Sequence, residues 1–262
     1  MAAPVSAPAT LGRFVWLELT TSDPEAAIEF YKKVVGWTTA AWEGPNPYTM
    51  WHAERGPVGG VMALTADMKA RRVPPNWISY VSTPDADATL KQVASLGGRV
   101  IVPATDIPNV GRFGVFSDPQ GAVLAVLAPQ GENSPREGQP QVGEVCWYEL
   151  GTSDVTAAFD FYHKLFGWEK TGSMEMGPGN VYQMYGRGDQ SFGGIYRIDP
   201  KENRPPSWLY YIEIASVDDA AKQIPKLGGK VVNGPIDVPG GRVLMAADPQ
   251  GAYFGLHTAK QQ

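Results

Sequence analysis

Apolar and polar residues alternate in the first part of the chain, and the spacing then becomes helical. Residues 14–23 alternate and carry Phe, Val, Trp and Leu, which predicts a β-strand. Asp23-Pro24-Glu25 then predicts the start of a helix, because an acidic N-cap, a proline at the first helical position and an acidic first turn all favour one. Gly36 ends this helix, whose apolar stripe consists of Ala27, Phe30, Tyr31 and Val34.

The same order of elements then follows again. Three short strands come after the first helix, near Thr38–Trp42, Tyr48–Ala53 and Gly60–Ala63. A strand at Trp77–Val81 leads to a helix at Asp85–Leu96, which stops at Gly97-Gly98. Three more strands are expected near Arg99–Pro103, Gly111–Phe116 and Ala122–Leu127. The pattern predicts a module of one strand, one helix and three strands, present twice in the first half of the chain.

The second half of the chain repeats the first. WLELTTSD, which begins at Trp16, returns at Trp147 as WYELGTSD, and Asp118-Pro-Gln-Gly-Ala122 returns as Asp248-Pro-Gln-Gly-Ala252. The offset is about 130 residues, which suits a duplicated domain. The second copy is therefore expected to contain strands at Trp147–Leu150 and Trp208–Ile214, each followed by a helix, at Asp154–Phe166 and Val217–Leu227.

This repetition predicts an α+β fold with two tandem domains. We expect a disordered N-terminal arm at residues 1–12, domains at 13–129 and 143–260, and a linker at 130–142. Each domain would fold on itself as a pair of βαβββ modules that form a curved mixed sheet. Because one helix covers only one face of a module, the other face would surround a cavity for a small molecule.

Composition narrows the possible functions. The chain has 262 residues, of which 43% are hydrophobic and 19% charged, which is typical of a globular protein. Its net charge of −5 and the lack of a basic cluster argue against a nucleic-acid or anionic-membrane partner. Neither a signal peptide nor a membrane-spanning apolar run is evident, so a cytoplasmic location is expected. The single cysteine, Cys146, excludes an internal disulfide and is expected to be an inert buried thiol.

The repeated motifs resemble those of the vicinal-oxygen-chelate superfamily of glyoxalases, bleomycin-resistance proteins and extradiol dioxygenases. The resemblance covers residues 14–128 and 144–258 and implies two tandem glyoxalase-like domains. The motifs are specific for the superfamily but select no reaction within it. They are Thr-Ser-Asp23-Pro-Glu, Phe30-Tyr31, Gly36-Trp37, Gly97-Gly98 and Asp118-Pro-Gln-Gly121, with their second copies.

The resemblance also implies where a metal would bind. Metal-dependent members place ligands, usually His, Glu or Gln, on the first and last strands of each module. Neither imidazole nitrogen nor carboxylate oxygen, which divalent cations favour, occurs at the matching positions. We therefore expect no cofactor at these positions, which are Trp16, Trp147, Ile78, Leu209, Ala125, Gly255, Val61 and Ile195.

Strand alternation indicates which polar side chains share a face with these positions. Glu18 would face the cavity of the first domain, where the other matching positions are Ser82 and Leu127. The second domain would gather Glu149, Glu213 and His257, and it is therefore the better candidate for chemistry. The candidate ligand-binding residues are Trp16, Glu18, Tyr48, Tyr80, Trp147, Tyr182, Tyr211, Glu213, Arg242, Tyr253 and His257.

Several roles remain open for these polar groups. Glu149 could be a catalytic general base that takes a proton from a carbonyl compound. Glu149, Glu213 and His257 could instead bind a shifted Fe, Zn or Mn ion. In a purely structural role, Glu18 and Glu149 would pair with arginines at equivalent places of the two domains. Alternatively, the second of these arginines could hold a ligand carboxylate or phosphate; they are Arg112 and Arg242.

Other polar and aromatic residues are expected to be structural. Trp37 and Trp168 follow helix ends and are expected in the core, and His163 is expected to be exposed on a helix. Trp77 and Trp208 would lie on the face of the sheet opposite the cavity.

Three functions fit the sequence. The first is a protein that binds a small apolar or aromatic metabolite or drug in its cavity without the family's usual metal, as resistance-type members do. The second is a glyoxalase-like lyase, isomerase or dioxygenase acting on a carbonyl or aromatic substrate. The third is a non-catalytic interaction protein whose cavities are filled. A small-molecule ligand is the expected partner, and the chain would be a monomer or a homodimer.

Overall fold

The structure is a computed structural model and describes residues 11–44, 48–131, 138–177 and 179–260. Over this part of the chain it contains four modules, numbered here in chain order, and each has the predicted order of one strand, one helix and three strands. Most of the predicted N-terminal arm, residues 1–10, lies outside the described residues. Within the described ranges, every helix is too short or too polar to cross a lipid bilayer.

Modules 1 and 2 form the first half of the chain. Module 1 consists of β1 (Phe14–Thr21), α1 (Pro24–Val34), β2 (Thr38–Ala41), β3 (Thr49–Ala53) and β4 (Gly56–Ala63). A short helix that the sequence did not predict, α2 (Ala66–Ala70), follows it. Module 2 consists of β5 (Asn76–Ser82), α3 (Ala86–Ser95), β6 (Arg99–Ile107), β7 (Gly111–Ser117) and β8 (Val123–Pro129).

Modules 3 and 4 form the second half. Module 3 consists of β9 (Val145–Thr152), α4 (Val155–Phe166), β10 (Glu169–Glu175), β11 (Val181–Arg187) and β12 (Gln190–Arg197). A 3-10 turn at Pro200–Glu202 follows this module. Module 4 consists of β13 (Ser207–Glu213), α5 (Val217–Gln223), β14 (Lys230–Val238), β15 (Gly241–Ala247) and β16 (Tyr253–Ala259).

The helices begin where their capping residues predict. Asp23, Asp85 and Asp154 each accept a hydrogen bond from the backbone N–H three residues further on, at 3.0, 2.9 and 3.0 Å. The helix predicted at Val217–Leu227 is shorter than expected. It ends at Gln223, and Pro225–Leu227 forms a 3-10 turn, because proline has no N–H to continue the helical bonding.

Each half of the chain forms one mixed sheet of eight strands. Their strand orders are β2-β3-β4-β1-β5-β8-β7-β6 and β10-β11-β12-β9-β13-β16-β15-β14. β1 pairs with β4 in parallel, and so do β5 with β8 and β13 with β16. The hairpin pairs inside each module are antiparallel. This arrangement confirms the predicted α+β fold with two tandem domains.

The packed cores combine modules from different halves, although we expected each domain to fold on itself. Unit 1 contains described residues 11–15, 79–131 and 149–208, which are essentially modules 2 and 3. Unit 2 contains described residues of 16–78, 138–148 and 209–260, which are essentially modules 1 and 4. In unit 2, the α1 stripe packs with module 4: the Phe30 and Phe254 rings lie 5.9 Å apart. The same arrangement in unit 1 joins α3 with α4, so each core needs both halves.

The sequence motifs that recur in both halves meet inside these cores. In unit 2, Trp77 Nε1 donates to Tyr31 Oη at 2.9 Å, and Tyr31 Oη donates to Asp248 Oδ2 at 3.2 Å. In unit 1, Trp208, Tyr162 and Asp118 form the same chain, at 3.2 and 3.0 Å. Each tyrosine therefore bonds an aspartate of the other half. The motifs are part of the packing of the fold.

Candidate functional site

A tyrosine–glutamate pair lies in module 1, within unit 2. Glu18 is on β1, and its neighbour in the parallel register is Gly60 of β4. Tyr48, just before β3, donates from Oη to Glu18 Oε2 at 3.0 Å and accepts from Trp16 Nε1 at 2.8 Å. Burial raises the pKa of Tyr48, and the negative charge of Glu18 raises it further, so the phenol stays protonated at neutral pH. The structure thus brings together three of the predicted site residues.

The same pair recurs in module 3, within unit 1. Tyr182 on β11 donates from Oη to Glu149 Oε1 on β9 at 2.8 Å. The two predicted residues therefore form a direct contact in the second half as well. Trp147, the counterpart of Trp16, is half-buried and belongs to unit 2.

A glycine makes room for each tyrosine ring. A Cβ on Gly60 would overlap the Tyr48 ring, and a Cβ on Gly194 would overlap the Tyr182 ring. Both glycines lie on the last strand of their module, β4 and β12. The rings can lie flat on the sheet only because these strand positions carry no side chain.

Module 3 adds groups that module 1 lacks. The Tyr196 ring is stacked on Tyr182 at 6.4 Å between centroids and 12° between planes. Arg204 donates from Nη2 to Tyr196 Oη at 2.7 Å, and its guanidinium lies 5.7 Å from the Tyr196 ring centre. Burial raises the pKa of Tyr196, and the charge of Glu149 raises it further. Module 3 therefore combines a carboxylate, two stacked phenols and a cation.

A second cluster of polar side chains occurs in unit 2. Glu213 Oε2 and His257 Nδ1 lie 2.5 Å apart, as expected from their neighbouring positions in the β13–β16 register. Cys146 joins them: its ligand atom and those of the other two all lie within 4.8 Å of one another. Burial raises the pKa of the Cys146 thiol, as does the charge of Glu213. Glu149 belongs to unit 1, so the predicted set of Glu149, Glu213 and His257 stays a prediction as a whole.

The residues at the family's metal positions do not suit a cation. Val61, Ala125 and Ile195 are buried and apolar. The Tyr211 ring covers the position of a Cβ on Gly255, and Trp16 Nε1 is a donor. Since donors and hydrocarbon cannot coordinate a divalent ion, this donor set does not fit the metal that the resemblance implies.

The arginines that recur in both halves pair with aspartates. Arg112 contacts Asp87 and Asp106 at 2.6 and 2.8 Å, and all three side chains are exposed. Arg242 contacts its own two aspartates at 3.1 and 2.7 Å, and these are Asp218 and Asp237. The predicted structural pair between these arginines and the strand glutamates is therefore wrong. The reason is local: each arginine lies closer to a helix and a hairpin of its own module that carry acids. Arg242 is thus already paired, which weakens its case as a ligand-binding group.

The remaining predicted residues have mixed environments. Tyr80 and Tyr211 are buried, whereas Tyr253 is 59% exposed at the start of β16. Trp37 and Trp168 are buried in the cores, as predicted. His163 is exposed, also as predicted, with its Nδ1 2.7 Å from the Trp168 carbonyl oxygen.

Sequence reasoning missed several polar groups. Asp118 and Asp248 are buried, and their roles were hidden because a motif does not reveal its partner in the other half. Cys146 was predicted to be an inert buried thiol, and its position beside Glu213 and His257 was missed because alternation places it on the opposite face of β9 from Glu149. Arg204 follows a 3-10 turn and carries no periodicity that could have indicated its position. The comparison of the two halves offered a signal, since Val73 stands where the second half has Arg204.

Known proteins agree with this architecture. The sequence profile of the Glyoxalase/Bleomycin resistance protein/Dioxygenase superfamily matches residues 13–126 and 145–256. The chain is 32% identical over 255 residues to "Putative glyoxylase CFP32" of Mycobacterium bovis, covering 94% of this chain and 95% of that protein. It is 30% identical over 257 residues to "Anthracycline biosynthesis protein DnrV" of Streptomyces peucetius, covering 94% and 92%.

A solved structure supports the fold alone. The 2,3-dioxygenase LapB from Pseudomonas sp. KL28 superposes with a TM-score of 0.63 at 12% identity, covering 98% of this chain and 94% of that one. Together with the matched profile and the relatives, the two-fold repeat of βαβββ modules leads to one conclusion. The chain belongs to the Glyoxalase/Bleomycin resistance protein/Dioxygenase superfamily.

Proposed function

We propose that this protein binds a small, flat, apolar or aromatic metabolite at the Tyr182–Glu149 pair of module 3, without a metal at the family's ligand positions. The observation that supports it is the 2.8 Å bond from Tyr182 to Glu149 beside the stacked Tyr196 ring. Stacked phenols offer an apolar surface to a flat ligand, and the carboxylate offers an acceptor beside it.

The groups around Glu149 favour a ligand that carries hydroxyl or carbonyl oxygens. A carboxylate can accept several hydrogen bonds at once, and Tyr182 is one donor to Glu149. We expect a hydroxyl group of the ligand to be a further donor. Arg204, held by Tyr196 and by Glu202 at 2.6 Å, supplies N–H donors for a ligand oxygen. The proposed ligand is therefore an aromatic compound with both donors and acceptors at its edge.

The name of one relative suggests which compound to test first. The Streptomyces peucetius relative is named as an anthracycline biosynthesis protein. Anthracyclines are flat, polycyclic and rich in hydroxyl and carbonyl groups, so they have the chemistry that the module 3 groups would recognise. Because anthracyclines are themselves fluorescent, a direct titration is practical.

The test is a fluorescence titration with an anthracycline and a panel of flat aromatic metabolites. Glu149→Gln keeps the side-chain shape but removes the charge that strengthens a ligand hydrogen bond, so we expect about 10-fold weaker binding. Glu18→Gln in module 1 is the matched control and is expected to change the dissociation constant less than about twofold. A flat response of the native protein to the whole panel would contradict the proposal and favour an interaction protein with filled cavities.

The Tyr182–Glu149 pair also favours a second candidate, a metal-independent enzyme acting on a carbonyl compound. A carboxylate 2.8 Å from a phenol provides a proton acceptor and a proton donor side by side. Glu149 would take the proton next to the carbonyl, and Tyr182 would turn its hydroxyl from Glu149 to the carbonyl oxygen and donate a hydrogen bond to it. The test measures whether the protein exchanges the proton next to the carbonyl of such a compound for deuterium in deuterated water. We expect Glu149→Gln to abolish this exchange and Glu18→Gln to leave it intact. Exchange that persists at the native rate in Glu149→Gln would exclude this role.

A further inference from the structure

The cluster of Cys146, Glu213 and His257 is peculiar to the second half of the chain. At the equivalent places the first half has Val15, Ser82 and Leu127. Where the first half has two apolar side chains and one hydroxyl, the second half thus has three groups that can each bind a metal ion. The neighbouring sheet is otherwise built alike in both halves, so packing alone does not require this triple difference.

Three strands bring the three side chains together. Cys146 lies on β9, Glu213 ends β13, and His257 lies on β16. One ligand atom from each lies within 4.8 Å of the others. The Glu213 and His257 side chains are 12% and 18% exposed, so solvent reaches them although most of their surface is buried. The cluster is therefore anchored in the sheet yet open to an ion.

Backbone contacts hold the cluster in place. Glu213 Oε1 accepts from the Ala259 N–H at 2.9 Å, which orients the carboxylate and leaves Oε2 toward His257 Nδ1. The Cys146 Sγ lies 3.3 Å from the Tyr211 carbonyl oxygen, to which the thiol donates. The Ala259 N–H can still orient Glu213 when an ion is bound, whereas the bond from the Cys146 thiol is given up with its proton.

We propose that Cys146, Glu213 and His257 form a zinc site. A thiolate, an imidazole and a carboxylate are the ligands that Zn²⁺ prefers, and three of them leave one position for water. None of the three stands at a position where the resemblance places a family ligand, which are Trp147, Leu209 and Gly255 on the same strands. The inference concerns a different set of residues from the Tyr182–Glu149 pair, and it does not depend on the proposed ligand.

Binding would exchange a proton for the ion. The Cys146 S–H bond breaks as the Zn–S bond forms, and the thiol proton is released to solvent. Affinity should therefore fall as the pH is lowered.

The test uses Co²⁺ as a spectroscopic substitute for Zn²⁺ in the full-length protein. Because Cys146 is the only cysteine, a thiolate-to-cobalt charge-transfer band can arise from this residue alone. We expect one Co²⁺ per chain, displaced by Zn²⁺. Cys146→Ser should remove the band and weaken Zn²⁺ binding about 100-fold or more, since even outer partners of metal ligands are worth 10- to 100-fold.

Two further variants distinguish metal binding at the cluster from adventitious metal binding elsewhere. His257→Gln should weaken Zn²⁺ binding as strongly as Cys146→Ser, whereas His163→Gln, on an exposed helix position, should leave it unchanged. Cobalt binding without a thiolate band would overturn the proposal. So would loss of binding in His163→Gln with no change in His257→Gln, or no binding at one equivalent. The readout needs no organic ligand, so failure here is distinct from failure of the proposed function.

Discussion

At the scale of single residues, the most unusual groups are the two buried aspartates of the repeated Asp-Pro-Gln-Gly motif. Asp248 accepts from the N–H groups of Gln250 and Ala252 and from Tyr31, yet burial raises its pKa more than these bonds lower it. Asp118 behaves alike in unit 1. A carboxyl that binds its proton more tightly in the folded state than in the unfolded one makes folding less favourable as it ionises.

This shift predicts a pH dependence. The unfolded pKa of Asp is about 3.9. As the pH rises from this value through the higher pKa of the folded state, the folded protein binds more protons than the unfolded one. The free energy of unfolding of the native protein should therefore fall relative to that of Asp248→Asn, and it should level off once the carboxyl is ionised in both states. Urea unfolding of both proteins at a series of pH values measures the difference. A difference that grows in favour of the native protein over this range would contradict the assignment.

The buried phenols give a second prediction at this scale. Tyr162→Phe removes the donor to Asp118 and the acceptor of Trp208 while keeping the ring, so two buried polar groups each lose a partner. We expect the free energy of unfolding to drop by about 1–3 kcal/mol. Tyr253→Phe, at a side chain that is 59% exposed, is the control and should change it by less than about 0.5 kcal/mol. Equal effects of the two variants would argue against the buried chain of hydrogen bonds through Tyr162.

At the scale of elements, the sequence predicted the strands and helices because their signals are local. Asp and Pro at helix starts, glycine at helix ends and alternation in strands need no knowledge of the rest of the chain. The helix in module 4 was predicted too long because Pro225 was not weighed as a helix breaker. β4 and β6 extend beyond their predicted bounds because hairpin pairing continues past the alternating residues.

The site was only partly predictable for a related reason. Alternation correctly paired Glu213 with His257 on one face, since these strands are parallel neighbours with fixed register. It did not predict that tyrosines from hairpin strands would reach back to Glu18 and Glu149. Those contacts depend on glycines that leave room for a ring, and a glycine in a strand indicates close approach without naming the partner.

These glycines make the third prediction. A Cβ at Gly194 overlaps the Tyr182 ring, so Gly194→Ala must displace that ring and break its bond to Glu149. We expect a loss of about 1–3 kcal/mol in stability from overpacking, together with weakened ligand binding. Gly60→Ala, the counterpart under Tyr48, should cost similar stability but leave binding intact. Unchanged binding in Gly194→Ala would place the ligand elsewhere.

At the scale of the whole molecule, the sheets and the packed cores divide the chain differently. Each sheet belongs to one half, but each core takes a helix from both. A half expressed alone would leave the apolar stripe of α1 without Phe254, or that of α4 without Phe116. The tandem halves are thus separate in sequence and interdependent in stability.

The fourth prediction follows from this dependence. Residues 13–129 and 143–260 expressed separately should fail to unfold cooperatively as monomers, because each would expose a core face. Mixed in equal amounts, they should form a one-to-one complex with the near-ultraviolet circular dichroism of the intact protein. Cooperative unfolding of either half as a monomer would show that the cross-half packing is dispensable.

The bond from Tyr31 in one half to Asp248 in the other has a consequence for how such a chain can change. In a pair of identical half-length chains, the same bond would occur twice by symmetry, and every substitution would be present in both copies. When the two copies are joined in one polypeptide, the reciprocal bonds are kept, and a substitution in one copy is no longer repeated in the other. One half can then keep the shared architecture while the other acquires Cys146, Glu213 and His257, so these three side chains are introduced once rather than twice.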